Sequence, residues 1–319
     1  MSASRRIVLL VIVAVVTCLI AAMATGALPL VSTGPLASVN PAAESVELSA
    51  LVCVQILGTA VAAGLLMQVL LVWKGSSKPS PQVWWIRMAW LWVAVALVGY
   101  LATLAVVANG QFDVFGNDLS MVLGIAPANA LLISALCAGV VAVAAKSRDS
   151  SVITALVAVV LIGVALPALA GHGSDSTSTG GLPSAILHTV AACLWMAGVL
   201  ALVSVGSASG LRLRDSARRF GWLAIACVVV LAISGLYNAL ARMLSPSELV
   251  TTTFGWLVLL KILLLIALVI IAAPLRLRVV EQLVGARPRT TFLTITSMEL
   301  VLLAITVGLG VALAQSPVT

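Results

Sequence analysis

The sequence predicts an all-α fold: a polytopic transmembrane bundle of about nine spans, with the N-terminus inside and the C-terminus outside. Three observations carry this. Hydrophobic residues make up 62% of the 319-residue chain and charged ones only 8%, where a water-soluble domain carries roughly a quarter. The apolar residues fall in runs of about 20 or more, the length a hydrocarbon layer demands, without the alternation that a membrane barrel would require. The basic residues gather at alternate ends of those runs. A backbone inside lipid must satisfy its own hydrogen bonds, so each run is read as a helix.

In chain order, the first span, Ile7 to Ala27, follows the basic pair Arg5-Arg6 and stops at a Pro- and Gly-containing segment. Its basic start and small-residue end resemble a signal peptide, but the apolar run exceeds a usual signal core; if it were cleaved, eight spans would remain in the same orientation. The second, Val46 to Trp73, ends at KGSSKPSPQ, and the third, Val83 to Ala108, at NGQFD. The fourth, Leu119 to Ala145, ends at KSRDS, and the fifth, Val152 to Ala170, at GHGSDSTSTGG. The sixth, Leu182 to Val205, is followed by a Gly/Ser segment and an arginine cluster, and the seventh, Phe220 to Leu244, by SPSE. The eighth, Thr253 to Leu275, and the ninth, Phe292 to Ala314, flank a last basic segment. Residues 1–150 then form an N-terminal half of about four spans, and residues 151–319 a half of about five.

Fifteen of the 17 basic residues, Arg5, Arg6, Lys74, Lys78, Arg87, Lys146, Arg148, Arg212, Arg214, Arg218, Arg219, Arg276, Arg278, Arg287 and Arg289, lie at the ends this threading places inside. Arg242 lies at an outer end and Lys261 within a span, while Glu44, Glu47, Asp113, Asp118, Asp175 and Glu248 lie outside. The isoelectric point near 9.7 therefore reflects topology and contact with anionic lipid, and no nucleic-acid surface is expected. The localisation expected is a cell membrane, plasma or inner, crossed many times. The five cysteines stand singly in separate runs with no CxxC pair and read as small core residues.

Both histidines of the chain fall within AGHGSDSTSTGGLPSAILHTVAACLWMAGVLAL, Ala170 to Leu202. His172 sits at the outer end of the fifth span, and His188 about 9 Å inside the sixth. Their gathering in one outer layer marks a candidate metal site: imidazole suits copper, zinc and iron, and an ionisable group inside a membrane is a functional candidate. Met121, Met243 and Met23 lie at similar depth and offer thioether, which favours Cu(I); Met196 lies two turns below His188 and would suit an inner resting point. The bland alternatives are a histidine bonded to a neighbouring carbonyl and methionines that fill gaps. Asn238 on the seventh span is placed to complete the histidine layer; Asn129, Gln55 and Gln68 read as interhelical glue.

At these residues the chain resembles the copper resistance protein D family. The resemblance rests on GLPSAILHTVAACLWMAGVLAL, where His188 precedes Leu194-Trp195 and the small pair Ala197-Gly198; on RRFGWLAIACVVVLAISGLYNAL; on ELVTTTFGWLVLLKILLLIAL, with its threonines, aromatic-Gly turn and intrahelical lysine; and on Glu299-Leu300. It covers about Gly171 to Ala314. Where the family often has Gly-Gly after the tryptophan, this chain has Ala197-Gly198. The resemblance implies an inner-membrane protein of copper uptake or delivery from the outer compartment, sometimes fused to a cytochrome oxidase assembly module, with the histidine role carried to His188 and to His172.

Lys261 and Glu299 are the ionisable residues deepest in spans, about 12 Å and 10 Å from opposite ends. Across a layer about 30 Å thick they are expected to meet, either as a static bridge or as a proton or cation relay. Walker, GxSxG and HExxH motifs and an intramembrane CPC pair are missing from the sequence, so no enzyme and no ATP-driven pump is expected; ion movement would follow a gradient or a partner. The reading is a copper-handling membrane protein whose partners are the bilayer, the copper ion, expected as Cu(I), and an extracytoplasmic copper chaperone or cytochrome oxidase assembly protein. Two rivals stay open: a b-type cytochrome holding haem between His172 and His188, and a scaffold for cytochrome oxidase biogenesis without a metal site.

Overall fold

The computed structural model describes residues 89–101, 126–144, 149–169, 181–204, 210–243, 245–281 and 286–315, with a few isolated positions before residue 89. Among the described residues the regular structure is entirely helical. The helices are α1 (Ala89–Leu101), α2 (Ala126–Ala144), α3 (Ser150–Leu169), α4 (Gly181–Ser204), α5 (Gly210–Leu240), α6 (Thr253–Glu281) and α7 (Ala286–Gln315); a single turn, Glu248–Thr251, precedes α6. Four stretches are long and apolar enough to cross a membrane: Pro183–Val203, Arg214–Leu240, Thr253–Ile270 and Thr290–Leu313. The first two expected spans lie outside the described residues.

The expected spans over α3 and α4 match the observed helices within two residues, whereas α5, α6 and α7 run well past their apolar stretches. The segment before Phe220 shows why. Ser216, Ala217 and Phe220 are buried, while Arg214, Asp215, Arg218 and Arg219 are exposed, so RDSARR is an amphipathic continuation of the helix rather than a loop. Arginine is a good helix former, and the charged heads of Arg214, Arg218 and Arg219 are exposed where the helix extends beyond its apolar stretch. Local caps fix two other starts. Asp149 Oδ1 accepts from the Ser151 backbone N–H (2.9 Å) and its hydroxyl (2.7 Å) at the head of α3, which holds this exposed carboxyl below the usual carboxylate range. At the head of α6, Thr252 Oγ1 accepts from the Gly255 N–H (3.0 Å) and donates to the Glu248 carbonyl (2.7 Å).

Helix α4 is the shared wall of two apolar cores. Trp195, Met196, Val199 and Leu202 face a cluster with Phe220, Cys227 and Leu231 of α5, Leu268 of α6, and Phe292, Leu300 and Leu303 of α7. Ala197 and Ala201 face a second cluster with Trp92 of α1, Val141 of α2, and Ile153, Leu156 and Val160 of α3. The small residues let neighbouring helices approach closely, the usual way membrane helices pack where no hydrophobic force drives them together. Gly198 is the tightest such position, since a Cβ there would overlap the Phe220 ring. The face of α5 turned away from the core carries Trp222, Ile225, Val229, Ile233, Leu236 and Leu240, an exposed apolar stripe suited to lipid.

Helices α4 and α6 run opposite to α5 and α7, so the arginine clusters at the start of α5, the end of α6 and the start of α7 share one end of the bundle. The exception, Arg242, is explained by its contacts. Its Nη1 donates to the Leu313 carbonyl in the last turn of α7 (2.6 Å), and its guanidinium lies 5.8 Å from the Phe254 ring centroid. A cation at a helix C-terminus meets the negative end of the dipole and satisfies a carbonyl with no intrahelical partner. Arg242 therefore ties together α5, α6 and α7 at the end away from the other arginines.

Replacing Gly198 with leucine should force Phe220 from its place and cost about 1–3 kcal/mol of overpacking. The thermal midpoint in detergent should fall, and an unchanged midpoint would contradict this packing.

Candidate intramembrane polar site

His188 occupies the third turn of α4, about 10 Å from the helix start at Gly181. At that level α5 brings Ser234, α6 brings Lys261 and α7 brings Gly310, each six to twelve ångströms from its own helix end by the rise of ~1.5 Å per residue. Four helices thus converge on one polar node at the end opposite the arginine clusters.

Hydrogen-bond accounting fixes the imidazole. The Ser234 hydroxyl donates its one proton to the Val230 carbonyl on its own helix (2.6 Å). Its oxygen lies 2.9 Å from His188 Nδ1, and with the proton committed it must accept there. The Ser234 and Lys261 contacts together favour the tautomer with the proton on Nδ1 and the lone pair on Nε2. Ser184, one turn before His188, donates to the Ser234 carbonyl (3.2 Å) and ties the same two helices. Nε2 faces Lys261 Nζ at 3.5 Å, a long contact in which the ammonium donates. Room for both groups comes from glycine: a Cβ on Gly235 would stand 3.3 Å from His188 Cε1, and one on Gly310 3.0 Å from Lys261 Nζ.

The expected meeting of Lys261 with Glu299 does not occur. Lys261 Nζ sits against Gly310, which is eleven residues, about 16 Å, along α7 from Glu299. Helix α6 has 29 residues and α7 has 30, about 45 Å each, so depths measured from opposite ends cannot be subtracted from a 30 Å layer. Side chains also lean toward their own helix N-terminus, which on antiparallel helices carries these two apart. Glu299 is buried and accepts from Trp195 Nε1 at 2.9 Å. Trp195 lies seven residues after His188, two turns further on nearly the same face of α4. Helix α4 thus makes polar contacts at two levels, His188 with Lys261 of α6 and Trp195 with Glu299 of α7. The hydroxyls of Thr296 and Thr306 on α7 are occupied by carbonyls of their own helix.

Of the other residues singled out from the sequence, His172, Met121 and Met23 lie outside the described residues. Met243 is half-buried and packs on an apolar cluster that includes Ala239, Phe254, Leu309 and Leu313. Met196 is fully buried in the larger core. Asn238 is half-buried one turn beyond Ser234, and it is Ser234 that holds the ring. Among the described residues no three His, Cys, Asp or Glu side chains gather closely enough to hold a metal ion. What the node offers is one oriented nitrogen donor with a cation beside it. Ser184, Ser234, Gly235 and Gly310 were missed in the sequence because serines and glycines are common in membrane helices.

Residues 214–313 match the family model of copper resistance protein D. The matched segment contains Ser234, Lys261, Glu299 and Gly310 of the node and its neighbour level; His188 and Trp195 precede it. The match supports the copper resistance resemblance over α5 to α7. No curated protein and no solved structure matches the chain.

A double-mutant cycle separates the two pairs. Trp195→Phe and Glu299→Gln should be coupled by about 1 kcal/mol or more in stability, because they share a buried bond, whereas Lys261→Met and Glu299→Gln should add independently. Coupling of the second pair instead of the first would contradict the arrangement.

Proposed function

We propose that the protein handles copper, capturing the ion at the outer face of a cell membrane for import or for delivery to a neighbouring protein. The observation that carries this reading is the oriented imidazole: Nδ1 of His188 lies against Ser234, and the Nε2 lone pair, about 10 Å inside the bundle, has the Lys261 ammonium as its neighbour. A metal-ligating histidine is usually fixed in this way through its other nitrogen. The arginines of α5, α6 and α7 lie at the opposite end, and the positive-inside rule then turns the His188 end outward. The match of residues 214–313 to the copper resistance family supplies the metal class.

In this reading copper is cargo. His188 replaces part of the water around the ion, and His172, nine residues before the first residue of α4 in the sequence, is the candidate second donor. Met121 and Asn238 are further candidates for that layer. Cu(I) is the expected state, since it accepts low coordination by nitrogen and sulfur. An extracytoplasmic copper chaperone or an oxidase assembly protein is the partner class that would supply or receive the ion. Glu299 and Trp195, two turns deeper, are candidates for a proton or cation relay.

Metal analysis of the detergent-purified protein after Cu(I) loading should find about one copper per chain in the wild type, and a loss of at least tenfold in affinity in His188→Ala. No Soret band should be present. Equal copper content in both proteins would overturn the assignment, and a haem spectrum lost with His188 would replace it with the cytochrome reading.

A further inference from the structure

We propose that Lys261 is a tethered monovalent cation that holds the place of the metal at His188 Nε2, and that it makes the site discriminate between monovalent and divalent ions. The inference rests on the copper reading above and adds to it the residue that sets charge selectivity. Three observations support it. Nε2 is the one imidazole nitrogen available, because Nδ1 is bonded to Ser234. The ammonium already lies 3.5 Å from Nε2. A metal bound to imidazole sits about 2 Å from the nitrogen, so an ion on that lone pair would come into contact with Nζ. The two cations exclude each other, and copper enters only when the ammonium moves away.

Among the described residues, the groups in contact with the pair bring no opposite charge. Nζ rests against Gly310, which has no side chain of its own, at the end of a flexible four-carbon stem. Glu299 is about 16 Å along α7 and bonded to Trp195, so it does not neutralise Lys261. His188 faces Gly235 on one side and Ser234 on another, and neither brings a charge. Exchange of the ammonium for Cu(I) keeps one positive charge at Nε2. The displaced lysine, held by its stem, still repels the bound ion. Coulomb energy scales with the ion's charge, so this repulsion weighs twice as heavily on a divalent ion.

The test is competition titration of the full chain in nanodiscs with Ag(I), a redox-inert monovalent probe, and with Zn(II). Wild type is compared with Lys261→Met, Lys261→Gln, Lys261→Arg and His188→Ala, with helical content checked by circular dichroism. Removal of the charge should tighten Ag(I) about tenfold and Zn(II) about a hundredfold, because doubling the ion's charge doubles the free-energy gain and squares the ratio. Either neutral variant suffices if the other does not fold, and Lys261→Arg should keep the wild-type selectivity. Ag(I) binding that depends on His188 but is equal in wild type and the neutral variants would overturn this inference and leave the copper reading standing. Equal tightening of both ions would also overturn it. Failure of every form to bind Ag(I) would remove both readings.

Discussion

The single proton of the Ser234 hydroxyl, committed to the Val230 carbonyl, decides what His188 can do. In water this bond would matter little, because solvent would offer either partner an alternative. Within a bundle whose outer faces are hydrocarbon, each polar group depends on the few others at its depth. With that proton given to Val230 the serine oxygen accepts from Nδ1, and this tautomer turns the Nε2 lone pair toward Lys261 of α6. A common serine thereby acts on the chemistry of the neighbouring helix.

The rest of the fold serves to keep four helices at the same level. Helix α4 is held from both sides, by larger side chains toward α5 and α7 and by alanines toward α1–α3. Arg242 ties the ends of α5 and α7 beside the head of α6, and Thr252 fixes where α6 begins. A slip of one residue along α6 would move Lys261 by about 1.5 Å and turn it through about 100°. The contact between lysine and imidazole thus depends on anchors one to three turns away. Two glycines complete it by leaving the volume that the imidazole and the ammonium occupy.

Much of this was legible in the sequence, and the limits of legibility have physical causes. Hydropathy alone marks the helices because lipid leaves the backbone one economical solution, and α3 and α4 end where their apolar runs end. The longer α5, α6 and α7 hid their extensions in basic segments that look like loops until the burial of Ser216, Ala217 and Phe220 is set against the exposure of Arg214 and Arg218. The scarcity of histidine pointed to His188, and a buried lysine and glutamate were conspicuous in a chain that is 8% charged. Their partners were not. Pairing by depth favoured Lys261 with Glu299, but pairing follows the register between helices, which hydropathy does not encode. Trp195 was noticed as part of a motif, whereas its role as a donor depends on which face of α4 meets α7.

The orientation of one imidazole is the claim on which the site rests, and nitrogen NMR of histidine-labelled protein in bilayers measures it most directly. With two histidines in the chain, a His172→Ala control assigns the remaining signals to His188. The metal-free protein should show Nδ1 bearing the proton and Nε2 bare, with Nε2 close to the Lys261 ammonium. A proton on Nε2 with Nδ1 bare would contradict the account at its root.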